Sequence, residues 1–241
     1  MAVIKVVPVG YQLDGQQYEG QLVFQEGSQP SRALLMAPNF LGVSQGAIDQ
    51  AEALVDDRSV ILVLDPYGKD RSISGPDQAY ATMVEVKSDH GRWRRLMVAA
   101  YEALLAEAQT FGIAKDNVAA FGFCFGGACV LELARLGIPL KAVVTFHGIL
   151  DTPDPASSQN RCGPILICNG ADDPLVPAES IKAFADEMNA IGADWQLVNF
   201  GGTVHSFTDK SANRPGQSQY NPLVTRRAFA MMADLFDEVF A

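Results

Sequence analysis

Histidine and cysteine are scarce in this chain of 241 residues, which holds three histidines and four cysteines. The cysteines form no C-x-x-C pair, and with so few histidines a structural zinc site is not expected. A chain of this length does not need disulfide bonds, and no export signal points to an oxidising compartment. Cys129 and Cys168 fall inside apolar segments, which is typical of small core residues.

Positive charge is also scarce, because 18 lysines and arginines stand against 28 acidic residues and give a formal net charge of −10. No basic cluster interrupts this acidity, which argues against nucleic acid and anionic membranes as partners. No apolar run reaches membrane-spanning length, and the N-terminal residues lack the pattern of a signal peptide. We therefore expect a soluble cytoplasmic protein, either a monomer or a homodimer.

What the sequence does contain is a regular alternation of apolar strands and amphipathic helices. Two alternating segments in 3–25 flank Asp14-Gly15, a strong turn signal for an antiparallel hairpin. Later strands, such as 59–64, are continuous apolar runs typical of parallel strands covered on both faces. Ser44 is predicted to cap the first helix. We predict one α/β domain over 1–241, with a mainly parallel, doubly wound sheet and an N-terminal antiparallel hairpin. The more polar and less regular stretch 67–92 is a candidate small lid.

A pattern G-x-C-x-G stands between the apolar run 118–123, which reads as a buried strand, and a small-residue helix predicted at 128–136. Gly122 and Gly126 lack a Cβ, so strand and helix can approach closely and Cys124 can take a strained conformation. The turn also aims backbone N–H groups and a helix N-terminus at whatever the sulfur attacks. We interpret Cys124 as a nucleophile; the alternative is a Gly-rich turn that contains a buried cysteine.

Polar residues end several predicted strands, where the functional loops of a parallel sheet gather. In chain order they are Asn39, Asp65, Cys124, His147, Asp173 and His205. A nucleophile, a later acid and a still later histidine follow the chain order of an α/β-hydrolase triad, which here gives Cys124, Asp173 and His205. The histidine would take the proton of the thiol, and the aspartate would orient the imidazole. Asp65, directly before Pro66, is interpreted as closing its strand.

Each of these assignments has an alternative. Either Asp172 or Asp173 could cap the helix that follows them. His205 could be a loop histidine bonded to backbone, whereas His90 lies in a polar helical stretch and is predicted to be a surface residue. His147 is a candidate to line the substrate pocket or to support it. Aromatic side chains near the same strand ends are expected to shape an apolar pocket: Phe40, Phe123, Phe125 and Phe207.

Three motifs together resemble the dienelactone hydrolase family of α/β-hydrolases, over essentially the whole chain. They are the run from Gly122 to Gly127, the run from Gly170 to Pro177, and His205-Ser206-Phe207. In that family the acid directly precedes a short stretch ending in Val-Pro, which favours Asp173 over Asp172. The resemblance implies a cysteine-nucleophile hydrolase of small esters and lactones that uses neither metal nor organic cofactor. It also implies an oxyanion hole formed by the backbone N–H groups of Phe125 and Phe40.

The sequence departs from the classical family pattern at two positions. Classical members carry a glutamate that interacts with the resting thiol where this chain has Asn39, a further candidate for the substrate pocket. They carry an arginine that holds the substrate carboxylate where this chain has Asp209. A carboxylate there repels an anionic lactone, so dienelactone itself is not the expected substrate. Four arginines in or near the candidate lid could contact a substrate anion in place of the missing arginine, or they could be surface charges: Arg71, Arg92, Arg94 and Arg95.

These observations support three hypotheses of different classes. The first is a hydrolase of a small ester or lactone that works through a Cys-His-Asp triad and an acyl-thioenzyme. The second is a non-catalytic α/β-hydrolase scaffold that binds a small ligand or partner, which the departures at Asn39 and Asp209 favour. The third is an oxidation-sensitive thiol at Cys124. Cys129 argues against this hypothesis, because it is too near in sequence to act as a resolving partner.

Overall fold

The computed structural model of the chain describes residues 2–156 and 162–241. It divides into two compact units, Met1–Ala120 and Phe121–Ala241. The polar loop predicted at 151–162 is described only in part, because 157–161 lie outside the described residues. Among the described residues no helix is both long and apolar enough to cross a membrane. The single domain over 1–241 stays a prediction.

The first unit begins with three strands, which are followed by a helix, a fourth strand and two helices. Its elements are β1 (Ile4–Leu13), β2 (Gln16–Gln25), β3 (Arg32–Ala37), α1 (Gln45–Leu54), β4 (Ser59–Val63), α2 (Pro76–Ser88) and α3 (His90–Thr110). A further strand, β5 (Val118–Phe123), runs from this unit into the second. The strand order in the first unit is β1-β2-β4-β3, with β3 parallel to β4 and β2 antiparallel to β4. Both β3 and β4 are buried along their whole length, as expected for continuous apolar strands.

The predicted N-terminal hairpin is confirmed. Leu13 pairs with Gln16, so Asp14 and Gly15 alone form the turn. Their φ angles are +51° and +80°. Positive φ at both central residues defines a type I′ turn, whose twist matches that of the flanking strands. Ser44 also takes its predicted place as N-cap of α1, where its side chain accepts a hydrogen bond from the N–H of Ala47.

Asp65 closes its strand through hydrogen bonds to the backbone, as interpreted from the sequence. Its Oδ1 accepts from the N–H groups of Tyr67 (2.9 Å) and Gly68 (3.0 Å), and its Oδ2 accepts from the N–H of Glu19 (3.0 Å). The hydroxyl of Tyr11 donates to the Asp65 carbonyl and accepts from the Asp65 N–H. These bonds join the loop after β4 to the hairpin, so this carboxylate is structural.

The stretch 67–92 is more regular than the sequence suggests. Helix α2 occupies 13 of its residues and begins with Pro76, which suits the first helical position because its fixed φ is helical and no N–H is lost there. Tyr80 and Val84, one turn apart on this helix, are exposed. Asp89 then caps α3 by accepting from the N–H of Arg92. A lid role for this stretch stays a prediction.

The second unit contains further parallel strands. Its elements are α4 (Phe125–Arg135), β6 (Val143–Phe146), β7 (Ile165–Gly170), α5 (Ala178–Ala190), β8 (Trp195–Phe200), the two-residue strands β9 (Asn213–Arg214) and β10 (Ser218–Gln219), and α6 (Pro222–Val239). The strand order is β5-β6-β7-β8, and β7 is parallel to both of its neighbours. Helix α4 begins at Phe125 rather than at the predicted residue 128, because the turn at Cys124 leads directly into it.

An aromatic cluster fills the core of the second unit. Phe123 and Phe146, on neighbouring strands, stack with ring centroids 5.0 Å apart. Phe229 of α6 contacts Phe146 edge to face at 5.0 Å, and Phe236 of the same helix contacts Phe121. The closing helix therefore packs against this unit's strands through aromatic side chains. This packing supports the strand that ends at Cys124.

Candidate active site

Cys124 occupies a strained turn between β5 and α4. Its backbone has φ +55° and ψ −116°, a conformation that favours glycine and that costs about 1–3 kcal/mol for other residues. A Cβ on Gly122 would stand 2.1 Å from the carbonyl oxygen of Gly126, and one on Gly127 would stand 2.5 Å from the Cα of Gly148. Both glycines are therefore required for the close approach of backbone segments, which the sequence pattern predicts for Gly122. Cys124 itself is 7% exposed.

The backbone on both sides of Cys124 is held by the segment that follows β6. The N–H of Cys124 donates to the carbonyl of Phe146 at 3.1 Å. The carbonyl of Cys124 accepts from Gly127 at 3.0 Å and from Ile149 at 3.4 Å. The position of the sulfur is thus tied to the end of β6 as well as to its own strand and helix.

Asp173, rather than its neighbour Asp172, points into the site. Its Oδ2 lies 2.7 Å from Nδ1 of His205, and its Oδ1 accepts from the N–H of Leu175 at 2.9 Å. Asp172 is exposed. The residue that precedes α5 is Pro177, and no side chain caps this helix. Neither aspartate therefore serves as the helix cap that the sequence left open.

His205 is buried in the loop after β8 and is anchored by the small hairpin that follows it. Its carbonyl accepts from the N–H of Gln219 at 3.0 Å. Nδ1 is bonded to Asp173, whereas the buried Nε2 makes no hydrogen bond of strict geometry to any described residue. Cys124 nevertheless contributes to the raised pKa of His205, which indicates that its sulfur lies near this ring.

The imidazole of His205 is strongly biased toward its charged form. Burial by itself lowers the pKa of His205, but the hydrogen bonds and negative charges of Asp173 and Cys124 outweigh it and raise that pKa to about 10. A histidine with this pKa is an imidazolium at neutral pH. A positive charge next to a sulfur stabilises the thiolate, the form of cysteine that is nucleophilic.

His147 lies beside His205 and is held in the neutral form. Its ring contacts the His205 ring edge to face at 5.0 Å, and its Nε2 lies 2.8 Å from the hydroxyl oxygen of Thr208. Burial, followed by the charge of His205, holds the pKa of His147 well below its usual range. Phe207, completely buried, supports the His147 ring at 5.1 Å. The sequence indicated His147 and Phe207 but carried no signal for Thr208.

Two other residues predicted for the site lie in the first unit. Asn39 and Phe40 follow β3, and both are partly exposed. The side-chain oxygen of Asn39 accepts from the N–H of Leu41 at 2.9 Å, and the carbonyl of Phe40 accepts from the hydroxyl of Tyr67 at 2.7 Å. These bonds fix the loop in which the two residues lie. Their roles in an oxyanion hole or pocket stay predictions.

Phe125 and Asp209 lie in the second unit. Phe125 is the first residue of α4, directly after Cys124, and its side chain is buried. Asp209 follows His205 by four residues, and its Oδ1 accepts from both the N–H and the hydroxyl of Ser211. No group of three or more potential ligand side chains (His, Cys, Asp or Glu) is placed to hold a metal ion in the described part of the chain.

The charge on His205 can be measured directly, because the chain has only three histidines to assign by NMR. We expect His205 to titrate near pH 10 and His147 to stay neutral at pH 7. Cys124→Ser and Asp173→Asn each remove a negative charge that stabilises the imidazolium, so each substitution should lower the pKa of His205. A His205 that titrates near the ordinary histidine pKa of about 6.5 in the unmodified protein would contradict this electrostatic assignment.

A sharp turn from a parallel strand into a helix, with an acid and a histidine on later strand ends, defines the α/β-hydrolase class. The whole-chain similarity to solved α/β-hydrolase structures confirms this fold. Within that class the chain belongs to the dienelactone hydrolase family, whose pattern residues 19–240 match. The family and the fold that the sequence predicts are both confirmed.

Individual relatives cover the chain to different extents. A dienelactone hydrolase-like promiscuous phosphotriesterase from metagenomic libraries is 35% identical, with 100% of both chains covered and a TM-score of 0.89. An uncharacterized protein of Caenorhabditis elegans is 33% identical over 134 residues, which are 53% of this chain and 83% of that protein. The hydrolase tropI of Talaromyces stipitatus is 27% identical over 122 residues, which are 51% of this chain and 46% of that protein.

Proposed function

We propose that this protein hydrolyses small neutral esters or lactones, with Cys124 as nucleophile, His205 as acid and base, and Asp173 as the residue that orients His205. The observation that carries the proposal is the buried His205–Asp173 pair, whose Nδ1 and Oδ2 lie 2.7 Å apart, together with a cysteine held in a strained turn. Cys124 also contributes to the raised pKa of His205. Membership of a hydrolase family supports the same reading. The proposed chemistry requires only these side chains and water.

In the first half-reaction the thiolate of Cys124 attacks the carbonyl carbon and forms a carbon–sulfur bond. The electron pair of the carbonyl moves to its oxygen, which accepts a hydrogen bond from the N–H of Phe125 at the N-terminus of α4. The bond to the leaving oxygen then breaks, and His205 gives its Nε2 proton to that oxygen. The products are an alcohol and an acyl-thioenzyme.

In the second half-reaction the neutral His205 takes a proton from water while the water oxygen attacks the acyl carbon. The carbon–sulfur bond breaks, the carboxylic acid leaves, and the thiolate and the imidazolium are restored. Asp173 keeps Nδ1 as a donor throughout, so that Nε2 faces the reacting groups. One ester and one water become one acid and one alcohol, with no other reactant.

The charge of the substrate follows from the departures at Asn39 and Asp209. Asp209 places a carboxylate four residues beyond His205, where the classical family has an arginine for a substrate carboxylate. Among the arginines considered as substitutes, Arg71 pairs with Glu85, Arg92 with Gln16 and Tyr18, and Arg95 with Asp14. We therefore propose neutral esters and lactones in preference to anionic ones.

A second candidate activity is the hydrolysis of neutral phosphotriesters. It is favoured by one observation, the 35% identity over both full chains to a promiscuous phosphotriesterase. The same machinery applies: the thiolate bonds to phosphorus, the P–O bond to the leaving group breaks, and His205 protonates that oxygen. Neutral His205 then takes a proton from water while the water oxygen attacks phosphorus, the P–S bond breaks, and a phosphodiester and the thiolate are released.

The proposed function is tested by trapping the intermediate. We expect p-nitrophenyl acetate to give a burst of p-nitrophenol and, after acid quench, an acetyl group on the Cys124 peptide by mass spectrometry. Cys162→Ser is the matched control, because burial raises the pKa of the Cys162 thiol to about 12 and so disfavours the reactive thiolate. This variant should keep the burst.

Hydrolysis without any adduct on Cys124 would contradict the acyl-thioenzyme. No turnover of neutral esters, lactones or phosphotriesters would favour the non-catalytic scaffold instead.

A further inference from the structure

His147 is a buried, uncharged imidazole that the proposed reaction does not use. It is 2% exposed, and its backbone has φ +42°, an uncommon conformation for a residue other than glycine. Its N–H donates to the carbonyl of Cys168 at 2.8 Å. A histidine that is held in a strained backbone and sealed from solvent needs an explanation, because the site already has its base.

The backbone on both sides of His147 holds the nucleophile. The preceding residue, Phe146, accepts from the N–H of Cys124, and Ile149 donates to the carbonyl of Cys124. Gly148, between them, lies against Gly127 of α4 so closely that a Cβ on Gly127 would stand 2.5 Å from its Cα. His147 is therefore carried by the segment that positions the sulfur.

The ring of His147 contacts the loop that carries His205. It meets the His205 ring at 5.0 Å and the Phe207 ring at 5.1 Å, both edge to face. Its Nε2 is hydrogen-bonded to Thr208, three residues after His205 on the same loop. One side chain thus links the backbone that holds the nucleophile to the loop that holds the base.

We propose that His147, fixed by Thr208, is a positioning residue that holds the ring of His205 in register with Cys124. This inference rests on the proposed function, because it gives His147 a task in the step that His205 performs. A neutral ring suits the task, since a second positive charge at this distance would repel the imidazolium. The low pKa of His147 supports this reading.

Substitution of Thr208 provides the most direct test, because it leaves His147 itself in place. Thr208→Val has nearly the same shape and removes only the hydroxyl, so the His147 ring loses its hydrogen bond. We expect kcat for p-nitrophenyl acetate to fall about 10- to 100-fold, as for other residues that orient a functional group, with KM changed less than about 3-fold. Thr208→Ser keeps the hydroxyl and should stay within about 3-fold of the unmodified protein.

A double-mutant cycle then shows whether the two residues act together. His147→Phe keeps a ring and removes the hydrogen bond, so it should behave like Thr208→Val. The kcat of the double variant should fall no further than that of the more damaging single variant, because the same hydrogen bond is lost in all three. The proposal would be overturned if the two single losses in kcat multiply in the double variant, or if kcat is unchanged in Thr208→Val. A loss in KM alone would instead assign His147 to substrate contact, as the sequence suggested.

A readout without turnover separates this proposal from the proposed function. Iodoacetamide alkylates a thiolate, and a poorly held imidazolium stabilises the thiolate less. We expect alkylation of Cys124 at pH 7 to slow about 10-fold in Thr208→Val and to recover in Thr208→Ser. If Cys124 is dispensable for hydrolysis, the proposed function fails, whereas an unchanged alkylation rate in Thr208→Val defeats the positioning role by itself.

Discussion

Cys124→Ala is expected to lower kcat/KM for ester hydrolysis by a factor on the order of 10⁴ to 10⁶. The proposed reaction forms its covalent bond through this sulfur, and alanine offers no atom that can replace it. The remaining groups would still bind and polarise an ester, so a small residual rate above water is expected. Steady-state assays of purified protein, with the acyl adduct as a second readout, measure the effect.

The strained backbone at Cys124 provides a control for this result. Glycine adopts φ +55° without strain, whereas alanine and cysteine do not. Cys124→Gly should therefore be more stable to unfolding than Cys124→Ala by about 1 kcal/mol or more, while both variants are inactive. Such a pair would separate loss of function from loss of fold. Near-normal hydrolysis in either variant would exclude Cys124 as nucleophile.

Arg135→Met is expected to lower the free energy of unfolding by about 3–5 kcal/mol. Arg135 lies at the end of α4, and its side chain is 1% exposed. Nε and Nη2 donate to the two oxygens of Glu187 at 2.9 and 3.0 Å, and Nη1 donates to Glu132 at 3.0 Å. Nη2 also donates to the carbonyl of Leu150 at 2.7 Å. Methionine fills similar space but leaves two buried carboxylates without their cation.

Lys182→Met is the matched control for this prediction. Lys182 and Asp186 form an ion pair one turn apart on α5, but their side chains are 75% and 65% exposed. Water screens such a pair, so its loss should cost less than about 1 kcal/mol. Urea unfolding at pH 7 compares both variants. Arg135→Lys should fall between Arg135→Met and the unmodified protein, because lysine keeps the charge but cannot donate in a fork. Equal losses from the buried and the exposed pair would refute this account.

Most elements of the fold were predictable because they carry a local signal. Continuous apolar runs indicated the buried strands, and Asp14-Gly15 indicated the hairpin turn. Helix α2 escaped prediction because Gly75, Pro76 and several polar residues obscure its periodicity. The ion-paired cluster around Arg135 escaped as well, although Glu132 and Arg135 are the only charges in an apolar helix. Two opposite charges three residues apart in such a helix are a usable signal for a buried pair.

The candidate site was predictable where chain order carries the information. Cys124, Asp173 and His205 follow strands in the sequence expected of their fold, and the structure brings the last two within hydrogen-bond distance. The link between His147 and Thr208 could not be predicted. It depends on the positive φ of His147 and on the course of the loop after His205, neither of which leaves a periodic or compositional trace.

The glycine contacts around the site also bear on how this protein can be engineered. Gly122, Gly127 and Gly170 each face backbone atoms at distances that no side chain tolerates. At these glycines, the segments that carry the three proposed catalytic residues pack main chain against main chain. A mutant library aimed at new substrates can vary side chains other than those of the proposed catalytic and positioning residues, and it should leave these glycines unchanged. The variants would then keep the catalytic reaction while their substrate specificity changes.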